Sequence, residues 1–255
     1  MISYYLETII LSVVQGITEF IPVSSSAHLV LISKLSNFNL NSLEIDVSLH
    51  FGSLLAIVAY FWKDLFVISR NKKKLYLISL GSIPLIIVGY ILYTSNLIYH
   101  LRNLEVIAWT TLIFGILLYF SDKSRLSKNL EKDLSTKDII FIGVLQILSL
   151  IPGVSRSGIN ITAGRFLKYN RVDSAKISFL LSIPALSGAS LLGLKDILKD
   201  SFEFNLIILL TIFFSFIFSY LTIKFLIYYL NKFSLKIFVF YRILLALLLF
   251  TIIYF

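Results

Sequence analysis

Two apolar stretches, 2–34 and 138–168, are each broken at the centre by a proline and a cluster of hydroxyls. The first break reads Ile21-Pro22-Val23-Ser24-Ser25-Ser26-Ala27-His28, and the second Ile151-Pro152-Gly153-Val154-Ser155-Arg156-Ser157-Gly158. Proline removes a backbone donor and disfavours helix in the residue before it. Each stretch therefore reads as two half-length helices meeting at a turn, a re-entrant hairpin. Irregular backbone at membrane depth is tolerated only where it is buried in protein or lines a cavity. The breaks also resemble each other, because an offset of 131 residues carries Gln15, Ser24 and Ser26 onto Gln146, Ser155 and Ser157.

The membrane setting comes from composition. Of 255 residues, 58% are hydrophobic and 15% charged, against about a quarter charged in a soluble domain. Mean hydropathy is +0.89. Apolar blocks at 46–62, 75–94, 104–121, 174–194, 204–230 and 237–254 are long enough to cross a bilayer as helices. The alternating ten-residue segments of a β-barrel are not seen. The fold class is all-α integral membrane: six transmembrane helices plus two re-entrant helical hairpins. The order hairpin, three spans, hairpin, three spans gives two halves, 1–121 and 138–255, joined by a linker at 122–137. These form one membrane domain over 1–255. Three spans per half place the halves in opposite orientation, an arrangement also used by secondary transporters.

With no cysteine, disulfides and thiolate metal sites are excluded. A net charge of +9 raises nucleic acid as a partner. In a membrane chain the better reading is lysine and arginine gathered in cytoplasmic loops, so no nucleic-acid partner is expected. The N-terminal run lacks a basic leader and holds Glu7, Gln15 and Glu19. It reads as a retained helix, not a cleaved signal. Of the 23 basic residues, eighteen fall on one side of this topology, from Lys63 to Arg242. Four fall on the other (Lys34, Arg102, Lys195 and Lys199), and Arg156 stays in the second turn. The heavy side is cytoplasmic, so the first hairpin opens outward and the second to the cytoplasm.

Polar groups in the two turns carry the chemistry. Gln15 and Glu19 share one helix face. With Ser24, Ser25, Ser26 and His28 they form an acid/base and nucleophile set. Ser or His would attack phosphorus, while the carboxylate takes a proton or, with Gln15, holds a metal. In the second turn, Gly153 lets the backbone approach a ligand, and the following helix N-terminus offers free N–H groups to an anion. Arg156 adds a planar fork suited to phosphate. Ser155, Ser157, Asn160 and Thr162 add hydroxyl or amide donors. Elsewhere, His50 reads as a packed histidine and His100 as a solvated one. The run Arg70–Lys74 reads as a topology determinant touching anionic lipid. The mixed linker reads as solvated.

These residues resemble a family. Gln15-xxx-Glu19, Pro22-Val23-Ser24-Ser25-Ser26-Ala27-His28 and Pro152-Gly153-Val154-Ser155-Arg156-Ser157-Gly158 are similar to the two signatures of the undecaprenyl-diphosphate phosphatase (UppP, or BacA) family of bacterial membrane enzymes linked to bacitracin resistance. Leu49-His50-Phe51-Gly52-Ser53-Leu54 and Phe179-Leu180-Leu181-Ser182-Ile183-Pro184 extend the likeness nearly end to end. The resemblance implies catalytic roles for Glu19, Ser25, His28 and Arg156, and supporting roles for Gln15, Ser24, Ser155 and Ser157. Two departures stand out. Many members have Glu at the position of Gln15, so one potential metal ligand or proton acceptor is lost. Ser26-Ala27 often reads Thr-Gly.

The expected activity is hydrolysis of a polyprenyl diphosphate, undecaprenyl by resemblance, to the monophosphate and inorganic phosphate. That would recycle the lipid carrier of cell-wall synthesis in the bacterial inner membrane, from a site opening to the periplasmic side. A divalent cation, Mg2+ or Ca2+, is the expected cofactor. The bilayer and the lipid diphosphate are the expected partners, and a homodimer is compatible with the sequence. Three routes use the same residues: Ser25 attacking with His28 as base, His28 attacking directly, or an activated water. Ser25 precedes a half-helix whose dipole would stabilise an alkoxide, which favours the first. The rival function is a polyprenyl-phosphate transporter or flippase using the same anion site. The density of nucleophile and acid/base candidates in one hairpin favours the enzyme.

Overall fold

The structure is a computed structural model that describes residues 2–35, 43–95, 101, 103–197 and 206–254. The described residues form helices joined by turns, with one isolated bridge between Lys128 and Tyr169 and no named strand. Six helices are long and apolar enough to cross a membrane. They are α3 (Leu43–Tyr60), α5 (Lys72–Thr94), α6 (Leu104–Asp122), α10 (Arg171–Ile197), α11 (Leu206–Lys232) and α12 (Lys236–Tyr254). This is a multi-pass helical membrane protein, as the six apolar blocks require.

The two interrupted stretches are broken where proline and the serines fall. α1 (Ile2–Thr18) ends before the turn 19–24, and α2 (Ser25–Leu35) restarts after it. α8 (Thr136–Gln146) passes through a 3-10 turn at Ile147–Leu150 and an irregular segment before α9 (Arg156–Phe166). Within each stretch the two helices pack on each other. Packing between the halves follows an exchange pattern: α1 lies on α11 and α8 lies on α5, while α3 pairs with α10 and α6 with α12.

Close approach makes these contacts. A Cβ on Gly52 of α3 would sit 2.6 Å from the Ile212 carbonyl oxygen of α11, so only glycine lets the two backbones meet. Hydroxyls then bridge the gap: Ser215 Oγ donates to the Leu49 carbonyl at 2.6 Å, and Ser53 and Ser219 Oγ lie 3.0 Å apart. Small residues and interhelical hydroxyls are the usual adhesive where lipid removes any hydrophobic drive. The largest apolar cluster gathers Phe20 and Val23 of the first turn with Ile57, Phe61, Leu118, Phe179, Ile223 and Leu226. Phe20 and Phe179 meet edge to face at 5.5 Å. The apolar side of the turn is thus anchored in the core, and its polar side is left for chemistry.

Three features differ from the sequence reading. The span drawn to residue 62 stops at Tyr60, and a short helix, α4 (Trp62–Arg70), follows. It exposes Trp62, Phe66 and Val67 beside Lys63, Asp64 and Arg70, an amphipathic composition suited to an interface.

The linker is not simply solvated. Its short helix α7 (Leu130–Asp133) buries Leu130, whose N–H donates to Asp173 at 3.1 Å. Lys128 Nζ donates to both Asp138 carboxylate oxygens at 2.8 Å, and the Tyr169 hydroxyl donates to Asp138 at 2.7 Å. Burial pushes the Asp138 carboxyl up, but the Lys128 and Tyr169 hydrogen bonds outweigh it and hold the group below its ordinary range. Burial, then the bond to Asp138, pushes the Tyr169 phenol up.

The third difference is Arg242. It does not belong to the basic loops: it lies within α12 and is wholly buried, which removes one of the eighteen residues on the basic side. The side chains of Lys34 and Lys199, with His100 and Arg102, fall outside the described residues.

Candidate active site

The two turns meet each other. Ser157 Oγ of the second donates to the Ile21 carbonyl of the first at 2.9 Å. Both turns use the same backbone device: Ser24 and Ser155 have left-handed φ angles of 78° and 70°. Such angles are uncommon outside glycine. Each is followed by a helix, and each hydroxyl pairs with the serine two residues on, Ser24 with Ser26 at 3.2 Å and Ser155 with Ser157 at 3.1 Å. Ser155 also caps α9 by accepting from the Gly158 N–H at 3.1 Å.

Arg242 fastens this junction. Its guanidinium donates to the carbonyls of Pro22 (3.3 Å), Val154 (3.1 Å) and Gly153 (2.9 Å), and to Thr111 (3.2 Å) and Thr110 (3.5 Å) of α6. A turn's carbonyls have no helical partner, and within a membrane no water supplies one. One planar fork satisfies both turns at once. Gly153 completes the fit: at φ 92° a Cβ there would lie 2.1 Å from Thr110 Oγ1.

At the junction lies a polar cluster. Glu19 Oε1 accepts from Arg156 Nη2 at 2.5 Å. Glu19 Oε2 accepts from Ser25 Oγ at 2.6 Å and from Gln15 Nε2 at 2.9 Å. Arg156 Nη1 donates to the Ser182 carbonyl at 3.1 Å, which fixes the fork against α10. Gln15 Nε2 also lies 3.1 Å from His50 Nδ1. Glu19 is buried, and the Arg156 side chain is only 13% exposed. A buried carboxylate and guanidinium facing each other offset a cost neither would bear alone.

A cavity of about 260 Å³ opens on this cluster. Its polar wall is Glu19, Ser24, Ser25, Ser26, His50, Ser149, Ser155 and Arg156, and its apolar wall includes Leu85, Leu150 and Leu186. It offers a nucleophilic hydroxyl, a carboxylate, a fixed cation and several donors beside apolar surface. That is the donor set for an anionic head on an apolar tail.

The structure thus brings together Gln15, Glu19, Ser24, Ser25, Ser26, Ser155 and Arg156. It places His28 elsewhere: Nδ1 lies 2.7 Å from the Ser24 carbonyl, and Nε2 lies 2.5 Å from the Tyr241 hydroxyl, with the rings stacked. Ser157 is spent on Ile21 and Gly153 on packing against α6, and neither lines the cavity. Asn160 is buried against Gln146, its Nδ2 donating to Gln146 Oε1 at 2.5 Å.

Comparison with known proteins then bears on this geometry. The family described as "Bacitracin resistance protein BacA" matches residues 8–248. This chain belongs to the BacA family. A relative named "Undecaprenyl-diphosphatase" from Pelagibacter ubique (strain HTCC1062) is 56% identical over the full length of both chains. Relatives of the same name from Thermodesulfovibrio yellowstonii (39% identical, 98% of this chain and 97% of theirs) and Erythrobacter litoralis (36% identical, 94% and 96%) are similar throughout.

Within this BacA-family site, sequence reasoning missed His50, Arg242 and Ser182. Arg242 had a signal: it falls inside an apolar span drawn from sequence, and an arginine at such depth marks a site or a structural need. His50 also lies within a span, but its approach to Gln15 depends on how α3 packs against α1. Ser182 acts through its carbonyl, which no side-chain pattern announces.

Proposed function

We propose that this protein is a membrane phosphatase that hydrolyses undecaprenyl diphosphate to undecaprenyl phosphate and inorganic phosphate. Membership of the BacA family and the name shared by its relatives support this reading over transport. The observation that carries the chemistry is the chain Ser25 Oγ to Glu19 Oε2, with Arg156 Nη2 on Oε1.

In this reading Ser25 attacks the terminal phosphorus while Glu19 takes the hydroxyl proton. Arg156 and the N–H groups opening α2 and α9 offset the negative charge on the phosphoryl oxygens. The bond from terminal phosphorus to bridging oxygen breaks, Glu19 passes the serine proton to that oxygen, and the lipid leaves as the monophosphate. Water then attacks the phosphoserine while giving a proton to Glu19, the bond from phosphorus to Ser25 Oγ breaks, and Glu19 returns the proton to Oγ, leaving inorganic phosphate and free Ser25. The base is therefore Glu19 rather than His28, because Ser25 donates to the carboxylate while both His28 nitrogens face other partners.

A divalent cation fits as a partner of the substrate. Gln15 Oε1 is buried with no hydrogen-bond partner, and it neighbours the one carboxylate of the cluster. Among the described residues no group of three His, Cys, Asp or Glu gathers to hold a metal alone. Mg2+ characteristically takes one or two protein oxygens and completes its shell with phosphate and water. Bound there, it would offset diphosphate charge. Lysine and arginine asymmetry supports a bacterial inner-membrane location, with the two halves inverted and the first turn open to the periplasm. A homodimer belongs to the same proposal and is measurable by light scattering in detergent.

Phosphate release from farnesyl or undecaprenyl diphosphate by purified protein tests the reading. Release by wild type and its loss in Glu19→Gln are expected. Absence of release from either substrate, with or without Mg2+, would reject it.

A further inference from the structure

A second cavity, of about 300 Å³, lies away from the turns, between α4, α5, α7, α8 and α10. Its floor is apolar and deeply buried: Phe61, Ile68, Leu77, Ile139, Ile177 and Leu181. Its rim carries five lysines, Lys63, Lys73, Lys74, Lys132 and Lys176. Lys74 is paired with Glu131. No ion pair engages the other four among the described residues. Asp64 is the remaining acid of the wall, so positive charge dominates.

Lysines on a cytoplasmic face are ordinary topology determinants. Their arrangement here has more content. They converge from four separate helices on one mouth, and behind that mouth lies apolar surface that water would not fill favourably. Next to it, α4 exposes Trp62, Phe66 and Val67, which sets the opening at the level where a headgroup meets its acyl chains. A soluble anion would match the rim and leave the floor empty. A neutral lipid would match the floor and leave four lysines without counter-charge.

We propose that this cavity is a binding site for an anionic phospholipid of the surrounding leaflet, with the phosphate among Lys63, Lys73, Lys132 and Lys176 and an acyl chain against Ile68, Leu77 and Ile177. The site is separate from the one that takes the diphosphate: it shares no lining residue with it. It ties α4 and the linker helix α7 to the bundle, so an occupant would stabilise the joint between the two halves.

The test is thermal unfolding and native mass spectrometry of the full-length protein, delipidated in detergent and titrated with dioleoyl phosphatidylglycerol. Dioleoyl phosphatidylcholine and glycerol 3-phosphate are the controls. Phosphatidylglycerol alone is expected to raise Tm and to be retained. A Lys73→Gln, Lys132→Gln, Lys176→Gln variant is expected to weaken retention on the order of 100-fold, at about fivefold per lysine near a membrane surface. Leu180→Trp, which fills the wall but keeps every lysine, is expected to weaken it too. Both variants should keep wild-type phosphate release, so loss of lipid is separable from misfolding and from failure of the functional reading. Equal stabilisation by phosphatidylcholine, stabilisation by glycerol 3-phosphate alone, or wild-type retention in both variants would overturn the proposal.

Discussion

Ser24 and Ser155, 131 residues apart in sequence, hold the same left-handed backbone conformation at the mouths of two helices. The residues that follow them, Ser25 and Arg156, are the first of α2 and of α9. The same turn conformation thus occurs twice and presents two different groups, a hydroxyl in one and a cation in the other. They converge on Glu19, Ser25 on one carboxylate oxygen and Arg156 on the other. The difference between the two turns makes the site, since the first supplies a hydroxyl and a carboxylate and the second the cation that faces them.

Glu19→Gln tests the centre of this arrangement. It keeps the size and removes the charge that both Ser25 and Arg156 address. Turnover should fall by about 100-fold or more, as when a general base is lost. Arg156→Lys keeps charge but loses the fork that spans Glu19 and the Ser182 carbonyl, and should cut kcat/KM heavily. Steady-state phosphate release measures both, and near-normal rates in either variant would take that residue out of the mechanism.

Ser25→Ala and His28→Ala, assayed side by side, separate the two candidate bases. With Glu19 as base, Ser25→Ala should be nearly inactive, and a phosphoserine should be trapped in wild type by rapid quench. His28→Ala should lose less than about tenfold, because His28 supports the Ser24 carbonyl and does not reach Ser25. A phosphohistidine in wild type and in Ser25→Ala would instead make His28 the nucleophile.

Gln15→Glu addresses the cation. It places a second carboxylate beside Glu19. Two adjacent carboxylates repel unless a cation sits between them. The variant should therefore need less Mg2+ for half-maximal activity at neutral pH than wild type. An unchanged cation dependence would remove position 15 from the cation site.

Much of this was legible in the sequence, for reasons that can be named. The six spans follow from apolar length, and the turns from proline joined to hydroxyls. Proline by itself was not the signal: Pro84 and Pro184 lie inside continuous helices. Glu19, Ser25 and Arg156 could be singled out because each is costly in lipid. Which of them touch was not legible, since that depends on how two turns distant in sequence pack together. His28 and Ser25, three apart, look adjacent on paper, yet α2 turns the histidine to Tyr241. A count of charges by loop puts Arg242 on the basic side, but its depth within α12 makes it a buried partner of the turns.

Arg242 carries a prediction of its own. It is a positioning residue: it touches five carbonyls and no cavity wall. Arg242→Lys should leave several of those carbonyls unpaired and cost on the order of 3 kcal/mol. In detergent, Tm should fall, and kcat should fall with little change in KM. Arg156 and the cavity wall would still bind the diphosphate while the turns lose their register. An unchanged Tm would mean the two turns hold together without it.

Orientation is the remaining test, and the absence of native cysteine makes single introduced thiols clean reporters. The lysine asymmetry survives the removal of Arg242, so the basic side should face the cytoplasm. Cysteine at Lys73 or Ser127 should resist an impermeant maleimide in intact cells and react after permeabilisation. Cysteine at Asn96 or Ser201, positions outside the described residues, should react from outside. With that pattern, the Glu19–Ser25–Arg156 cluster opens through the first turn to the side where the lipid diphosphate is to be hydrolysed. The reverse pattern would turn the whole bundle over. The lysine-rimmed cavity would then face outward, and the catalytic turn would take its substrate from the inner leaflet.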